Sequence, residues 1–401
     1  MHIDSGSHPE LYKLGLKLYQ ANPKLWDYGL SLASAPSRLQ GDLKFAMSDK
    51  RFSERINGIN LEISILCNLR CTMCWWWGQN GIGFKLTNAR DPMVTAEMSK
   101  ETILDVVDQL KKLGSPSIYI SGGEPFIRKD TVDIIEYIAS QGISVITNNN
   151  GTMLSDEQLE RLSKIKRLTI NFSIDGPEDV HDKIRGKGTF RKTTETIKKL
   201  VALKGGSPFP AVKTNTTFSP WIVGRLDELI HYLQDDVNVD AIRMQHLWFT
   251  DKVHAERHKK MLHDIFGTTE SDGVDSHIIS TPEPDYIKKL ADEIYTIKST
   301  RYRKPVFIHP DMSKEQISRY YTDLDFSRVK ECRIAWNTLH IKASGDAMFC
   351  PDEWMTDFKL GNVKTERIAS LWNNEKAQKF RTALYKHKLF PACSRCCAIN
   401  G

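Results

Sequence analysis

Cys67, Cys71 and Cys74 follow directly on an apolar run, Leu61-Glu62-Ile63-Ser64-Ile65-Leu66, and nothing else in the chain constrains its fold so tightly. The Cys-x3-Cys-x2-Cys spacing sets three thiols just beyond the end of a strand, and thiolates are soft ligands that suit iron–sulfur clusters or zinc. A structural zinc site takes a fourth Cys or His close by, and none follows before His181. A 4Fe–4S cluster held by three cysteines leaves one iron open to a small molecule. The other five cysteines, Cys332, Cys350, Cys393, Cys396 and Cys397, form a second, distant set. Disulfides would suit a secreted chain, but Met1-His2-Ile3-Asp4-Ser5-Gly6 lacks the charged-then-apolar layout of a signal peptide. No apolar run reaches the roughly 18 residues of a membrane span, so no transmembrane segment is predicted. These features predict a cytoplasmic protein with metal cofactors. A net charge of +6 over 401 residues is too diffuse to predict nucleic-acid binding and suits anionic small molecules or an acidic partner.

From residue 58 to about 250, apolar strands alternate with amphipathic helices. Strands are predicted at 59–66, 116–121, 143–148, 167–174, 211–217 and 240–247, with helices near 100–113, 130–140, 156–164, 190–204 and 225–234. Ser99 reads as an N-cap for a helix whose Ile103, Val107 and Leu110 share one face and which Gly114 closes. Ser155-Asp156-Glu157-Gln158 reads as a capping box. Repeated β–α units imply a parallel sheet, right-handed crossovers and functional residues at the strand C-termini. The predicted fold class is therefore α/β, a partial (β/α)6 barrel over residues 58–250 with a small C-terminal domain over 331–401. Residues 1–57 carry Leu11, Leu14, Leu18, Leu25, Tyr28 and Leu32 at roughly helical spacing and read as a helical cover. Residues 251–330, charged and broken by Pro282 and Pro284, read as a bridge between domains. His254, His258 and His263 nearly share a helix face there, and the interleaved Arg257, Lys259 and Lys260 predict that this face is solvated.

Short motifs occupy the strand ends. Ser121-Gly122-Gly123-Glu124-Pro125 follows the second strand and Thr147-Asn148-Asn149-Asn150-Gly151 the third. Phe172-Ser173-Ile174-Asp175-Gly176-Pro177 ends the fourth, with His181-Asp182 and Arg185-Gly186 beyond. Bare glycine backbone permits close ligand approach, and carbonyls or Glu124 can accept hydrogen bonds from an ammonium group. Together with the three cysteines, these motifs resemble the radical S-adenosylmethionine (SAM) superfamily, in particular its members with SPASM or Twitch extensions. The resemblance implies that the open iron chelates SAM through its amino and carboxylate groups. One electron then cleaves SAM to methionine and a 5′-deoxyadenosyl radical, which abstracts hydrogen from a substrate. Implied SAM contacts are Gly122, Gly123, Glu124 and Pro125 at the amino group, Ser173 at the ribose and Arg185 at the carboxylate. Met73, at a position often aromatic in the family, is implied beside the adenine, and Met244, with Gln245 and His246, near the adenine or the substrate or else packed in the core. Asp175 is a candidate substrate-side acid or base, or else a turn-stabilising Asx. Trp75, Trp76 and Trp77 read as the wall of a dry pocket or as packing under the barrel rim, and 78–98 as an active-site loop.

The C-terminal stretch Cys332-x12-Gly345-x4-Cys350, then Leu360-Gly361-Asn362, Leu371-Trp372-Asn373, Phe390-Pro391 and Cys393-Ser394-Arg395-Cys396-Cys397, is similar to SPASM/Twitch extensions. A full SPASM domain has more cysteines and holds two auxiliary clusters, so the resemblance is to the shorter Twitch form. It implies a second 4Fe–4S cluster on Cys332, Cys350, Cys393 and Cys396, with Cys397 competing for the fourth place; a zinc site of the same geometry is the other reading. The expected function is a radical SAM oxidoreductase or maturase that abstracts hydrogen from a small, carbohydrate-like substrate and passes an electron to the auxiliary cluster. A peptide-modifying maturase, a redox-neutral epimerase or dehydratase, and a SAM-binding iron–sulfur electron-transfer protein are the alternatives. An external donor such as flavodoxin or ferredoxin is an expected partner.

Overall fold

Alternation of apolar and polar residues builds the central sheet. A computed structural model describes residues 45, 47–77, 96–268, 272–280, 282–350 and 358–396. In β1 (Gly58–Ser64) Ile59, Leu61 and Ile63 are buried, while Asn60 and Glu62 between them are half-buried. It is followed by β2 (Ser117–Gly122), β3 (Ser144–Asn149), β4 (Leu168–Ser173), β5 (Ala211–Thr217) and β6 (Ala241–Gln245), each parallel to the one before. Between them lie α1 (Lys100–Lys112), α2 (Thr131–Ser140), α3 (Asp156–Leu162), α4 (Glu178–Arg185), α5 (Thr189–Lys204) and α6 (Leu226–His231). Ser99 caps α1 by accepting from Thr102 N, and Ser155 with Gln158 forms the capping box of α3. The six strands match the sequence expectation closely. Helix α4 was hidden, because its residues read as a motif rather than as a periodic stripe.

The sheet continues at both ends. β7 (Val306–His309) adds parallel to β6, and β8 (Thr338–Ile341) adds parallel to β1. β9 (Asp346–Met348) and β10 (Gly361–Asn362) follow antiparallel, giving the order β10-β9-β8-β1-β2-β3-β4-β5-β6-β7. The 251–330 segment therefore does more than bridge: it donates β7 and three helices, α7 (Lys252–Phe266), α8 (Pro284–Ser299) and α9 (Lys314–Thr322). Four residues inside charged sequence are too few for periodicity to show. The solvated-face expectation for α7 also fails. His258 is fully buried because α7 packs that face on the 3-10 turn Pro391–Arg395, where Ala392 N–H lies 3.5 Å from its Nδ1. Among the described residues no helix is long and apolar enough to cross a membrane.

The helical cover expected over residues 1–57 lies mostly outside the described residues. Its described end runs along the C-terminal region, where Trp336 Nε1 donates to Lys50 O and Trp372 Nε1 to Ser53 O, both at 2.9 Å. Two fully buried arginines tie this region together through carbonyls. Arg381 donates to Ala335 O (2.8 Å), Trp372 O (2.8 Å), Arg51 O (3.1 Å) and Asn373 Oδ1 (2.7 Å), and lies against the Phe349 and Trp372 rings. Arg395 donates to Tyr320 O, Asp323 O and Phe326 O, gathering the C-terminal end of α9. Arg381→Ala strands those acceptors, so it should lower the unfolding free energy by about 3 kcal/mol or more. Denaturant titration checks this, and a loss under about 1 kcal/mol would refute the account.

Candidate active site

The loop carrying Cys67, Cys71 and Cys74 is pinned from every side. At its start, Glu97 Oε1 accepts from Ile65 N (2.8 Å) and Ser64 Oγ (3.0 Å), and Trp77 Nε1 donates to Ile65 O (2.8 Å). From the end of β2, Gly123 N donates to Ser64 O (2.9 Å) and Glu124 N to Leu66 O (2.7 Å). A Cβ on Gly122 would stand 2.2 Å from Ser64 O, and one on Gly123 2.3 Å from Leu66 O, so only glycine allows this approach. From the turn after β3, Asn150 Nδ2 donates to Asn68 Oδ1 (2.9 Å), while Asn68 Nδ2 donates to Thr152 Oγ1 (2.8 Å). From α4, Ile184 O accepts from Thr72 N at 2.9 Å.

Glu124 joins these supports. It is buried, with Oε1 accepting from Phe126 N (3.0 Å) and Oε2 from Asn150 N (2.8 Å). Burial raises its carboxyl to about 7, against the pull of those two N–H groups and of Arg185. Pro125 opens the short 3-10 turn Pro125–Ile127 behind it, and Met73 packs half-buried against the core.

The donor set suits an iron–sulfur cluster. The three cysteines are free thiols, Leu69 N–H points at Cys67 Sγ (3.4 Å) and Trp77 N–H at Cys74 Sγ (3.2 Å). Burial pushes the Cys67 thiol up to about 12 and raises Cys71, with Arg185 opposing the latter. A bound metal supplies the positive charge that ionises such thiols. Among the described residues no three Cys, His, Asp or Glu side chains converge on a single ion. A cluster spreads its thiolates over separate irons and needs no such convergence. Trp76 and Trp77 are buried beside the loop, Arg70 lies 4.2 Å from the Trp77 ring centre, and Trp75 stacks on His277. Residues 78–95 of the expected active-site loop lie outside the described residues.

Two expected site residues have other surroundings. Asp175 is fully buried and presents no surface to a substrate; its Oδ1 accepts from Thr217 N (3.0 Å) and its Oδ2 from Arg185 Nε (2.5 Å). Arg185 in turn reaches Cys71 Sγ at 3.8 Å. Burial alone would lower the guanidinium's affinity for its proton, but Asp175 and Cys71 more than reverse this. His181 Nδ1 accepts from Asp175 N, completing the turn. Met244 is fully buried in the apolar core with Ile242, on the helix side of β6. Strand alternation therefore turns it away from the face that carries Ser173, and Arg243 and Gln245 occupy that face instead. The apolar–polar alternation within Ala241-Ile242-Arg243-Met244-Gln245 was the available signal for Arg243. Ser173 is half-buried, and its hydroxyl makes no hydrogen bond among the described residues, which leaves it available to a ribose.

In the C-terminal region Cys332, Cys350, Cys393 and Cys396 are all buried free thiols, and Cys397 lies outside the described residues. Burial pushes Cys332 up to about 12 and Cys393 well above its ordinary value; Cys396 adds to both shifts, and Cys332 adds to that of Cys393. These three thiols thus lie near one another, on a frame set by Cys332 N to Lys388 O (3.0 Å) and Cys396 N to Cys393 O (3.0 Å). Cys350 is buried in the same apolar core.

A family model described as the radical SAM superfamily matches residues 61–222, and one described as an iron–sulfur cluster-binding domain, SPASM, matches 332–397. The Fe-coproporphyrin III synthase of Methanosarcina barkeri is 23% identical over 337 residues, 82% of this chain and 78% of its own. The tungsten-containing aldehyde ferredoxin oxidoreductase cofactor-modifying protein of Pyrococcus furiosus is 25% identical over 350 residues, 84% of this chain and 86% of its own. Streptococcus suis SuiB bound to precursor peptide SuiA aligns with a TM-score of 0.57 at 13% identity, over 84% of this chain and 68% of that chain.

Asp175→Asn should weaken SAM binding by about tenfold through a loosened Arg185, with turnover restored at saturating SAM. A turnover loss that SAM does not restore would make Asp175 an acid or base. A second test uses pH. Burial lowers His181, with a further push from Arg185, from 6.5 to about 4. The unfolded chain then takes up a proton that the folded chain refuses, so this contribution to stability is present above the unfolded pKa and is lost as pH falls toward the folded one. His181→Gln should flatten the fall in stability by about one proton, or ~1.4 kcal/mol per pH unit, across that window. Denaturant titrations at several pH values check it, and an unchanged slope would contradict it.

Proposed function

The chain belongs to the radical SAM superfamily and carries a C-terminal SPASM iron–sulfur domain, and from that premise we propose that this radical SAM enzyme modifies a peptide. When bound, SAM and the 4Fe–4S cluster supply a 5′-deoxyadenosyl radical that removes a hydrogen atom from the substrate. In this reading Cys67, Cys71 and Cys74 hold the cluster. Gly122, Gly123, Glu124 and Pro125 form the amino-group side of the SAM site, Ser173 takes the ribose, and Met73 flanks the adenine. Arg185, oriented by Asp175, takes the carboxylate. Cys332, Cys350, Cys393 and Cys396 hold one auxiliary 4Fe–4S cluster, and an external donor such as flavodoxin or ferredoxin supplies electrons. The domain bounds follow the same reading, with the barrel over 58–250 and the cluster domain over 331–401.

The observation that carries the peptide reading is the amide-rich second face of the sheet. Asn148 and Asn171 are neighbours in register, and Asn215 stands beside Ser173 on the next strand. Side-chain amides match the alternating donors and acceptors of a peptide backbone. The similar fold of SuiB, seen with its precursor peptide, supports the same class. A tetrapyrrole carboxylate is the second reading, favoured by the extent of the match to the Fe-coproporphyrin III synthase. A carbohydrate-like substrate has less support than either.

With dithionite and SAM under anaerobic conditions, the full chain should release 5′-deoxyadenosine. The Cys67→Ala, Cys71→Ala, Cys74→Ala variant should not, while keeping the iron of its C-terminal cluster. Co-expression with short peptides encoded beside its gene should give a peptide whose mass changes only with the intact cysteines. A mass change confined to a tetrapyrrole would replace the peptide reading with the second one. Cys393→Ala or Cys396→Ala should lose the auxiliary cluster by iron content and Mössbauer spectra, whereas Cys397→Ala should retain it. Loss in Cys397→Ala alone would move the fourth ligand to Cys397.

A further inference from the structure

We infer that Arg243 anchors the substrate through a carboxylate, an inference that rests on the peptide reading only for the molecule that brings this group. Ser173, Asn215 and Arg243 are register partners on β4, β5 and β6. The row beside them, Phe172, Thr214 and Ile242, is fully buried on the helix side, so these three share the opposite face. Two strand spacings put Arg243 about 10 Å along the sheet from Ser173. A substrate held at Arg243 therefore lies beside the place proposed for the ribose, where the reacting carbon must be.

Arg243 differs from the arginines that pin the cysteine loop and the C-terminal region. Arg128, Arg185, Arg381 and Arg395 all donate to carboxylates or carbonyls. Half-buried Arg243 has no hydrogen bond or ion pair among the described residues. A guanidinium cannot shed its proton, so partial burial is costly until an anion satisfies its planar fork. Carboxylate fits that fork with two parallel hydrogen bonds. Asn215 narrows the choice, since its Oδ1 is shielded and lacks a donor among the described residues. Such an acceptor disfavours an anion rich in oxygen on every side and welcomes an N–H. An acidic residue in a peptide brings both, a carboxylate and its own backbone N–H a few bonds away. Arg185, beside Cys71, is the arginine placed for the SAM carboxylate, which leaves Arg243 for the substrate.

The test uses the anaerobically purified full chain with its iron and SAM. Two fluorescein-labelled random 15-residue peptide libraries serve as probes, one with a fixed Glu and the other with Gln there. The wild type should bind the Glu library at least about tenfold more tightly, the effect of one charge-assisted pair. Arg243→Gln should abolish that preference. Asn215→Asp should abolish it as well, by giving the intact arginine an internal carboxylate. Arg243→Lys should keep part of it. Iron content and melting temperature establish that each variant folds. Equal binding of the two libraries by the wild type, or a preference surviving in Arg243→Gln, would overturn the inference. If neither library binds, the peptide reading fails and benzenehexacarboxylate becomes the deciding probe. A rise in melting temperature in the wild type but not in Arg243→Gln would then sustain the carboxylate site, and equal responses would overturn it.

Discussion

The buried carboxylate of Glu124 is the point on which the barrel's mouth depends. Its two oxygens tie the N–H of Phe126, in the turn after β2, to that of Asn150, in the turn after β3. Its own N–H holds Leu66, and the Asn150 side chain holds Asn68. Three strand ends are thereby fixed around Cys67. The arrangement is costly, since burial lifts the carboxyl to about 7. Apolar packing of similar volume would stabilise the strand ends more cheaply, but it has no directionality. Directed hydrogen bonds set one geometry for the loop that carries the three thiols.

Arginine does the corresponding work farther out. Arg185 ties a buried Asp175 on the fourth strand's turn to Cys71 of the loop. Arg381 and Arg395 pin the C-terminal region by carbonyls instead of by carboxylates. The two cysteine sets are not independent units on a flexible tether. Cys67 lies three residues beyond β1, and β1 pairs with β8, which pairs with β9 just before Cys350. A continuous hydrogen-bond ladder thus links the strand that feeds the first set to the hairpin that feeds the second.

Much of this was legible in the sequence because it is local. Strand alternation, the Ser99 cap and the Ser155–Gln158 capping box each depend on a few neighbouring residues, and each appears where expected. What the sequence hid depends on partners far away. β7 is apolar for only a few residues and becomes a strand because β6 offers an edge. His258 looked solvated beside Arg257 and Lys259, but the turn that buries it lies more than a hundred residues later. Strand position alone left Met244 open between the adenine or substrate and the core. Its side-chain parity, fixed by Ile242 two residues earlier, sends it into the core. The same parity, applied one residue back, points to Arg243.

That parity carries a further consequence. Strands of an all-parallel sheet covered on both faces read as nearly continuous apolar runs. These strands alternate instead, with Ile118, Ile120, Ile170, Val212 and Ile242 fully buried on one face and Asn148, Asn171, Asn215 and Arg243 half-buried on the other. Among the described residues the ten-stranded sheet does not close on itself, with β10 at one edge and β7 at the other. On this second face Asn148 Oδ1 and Asn215 Oδ1 lack a donor and Arg243 lacks an acceptor among the described residues. A polar face at this depth is stable in water and more so with a substrate that matches it, which gives binding a driving force without asking the scaffold to move. In the proposed peptide reading, the cysteine loop, held by Glu124 at the mouth of the same face, would meet a substrate aligned along the strands.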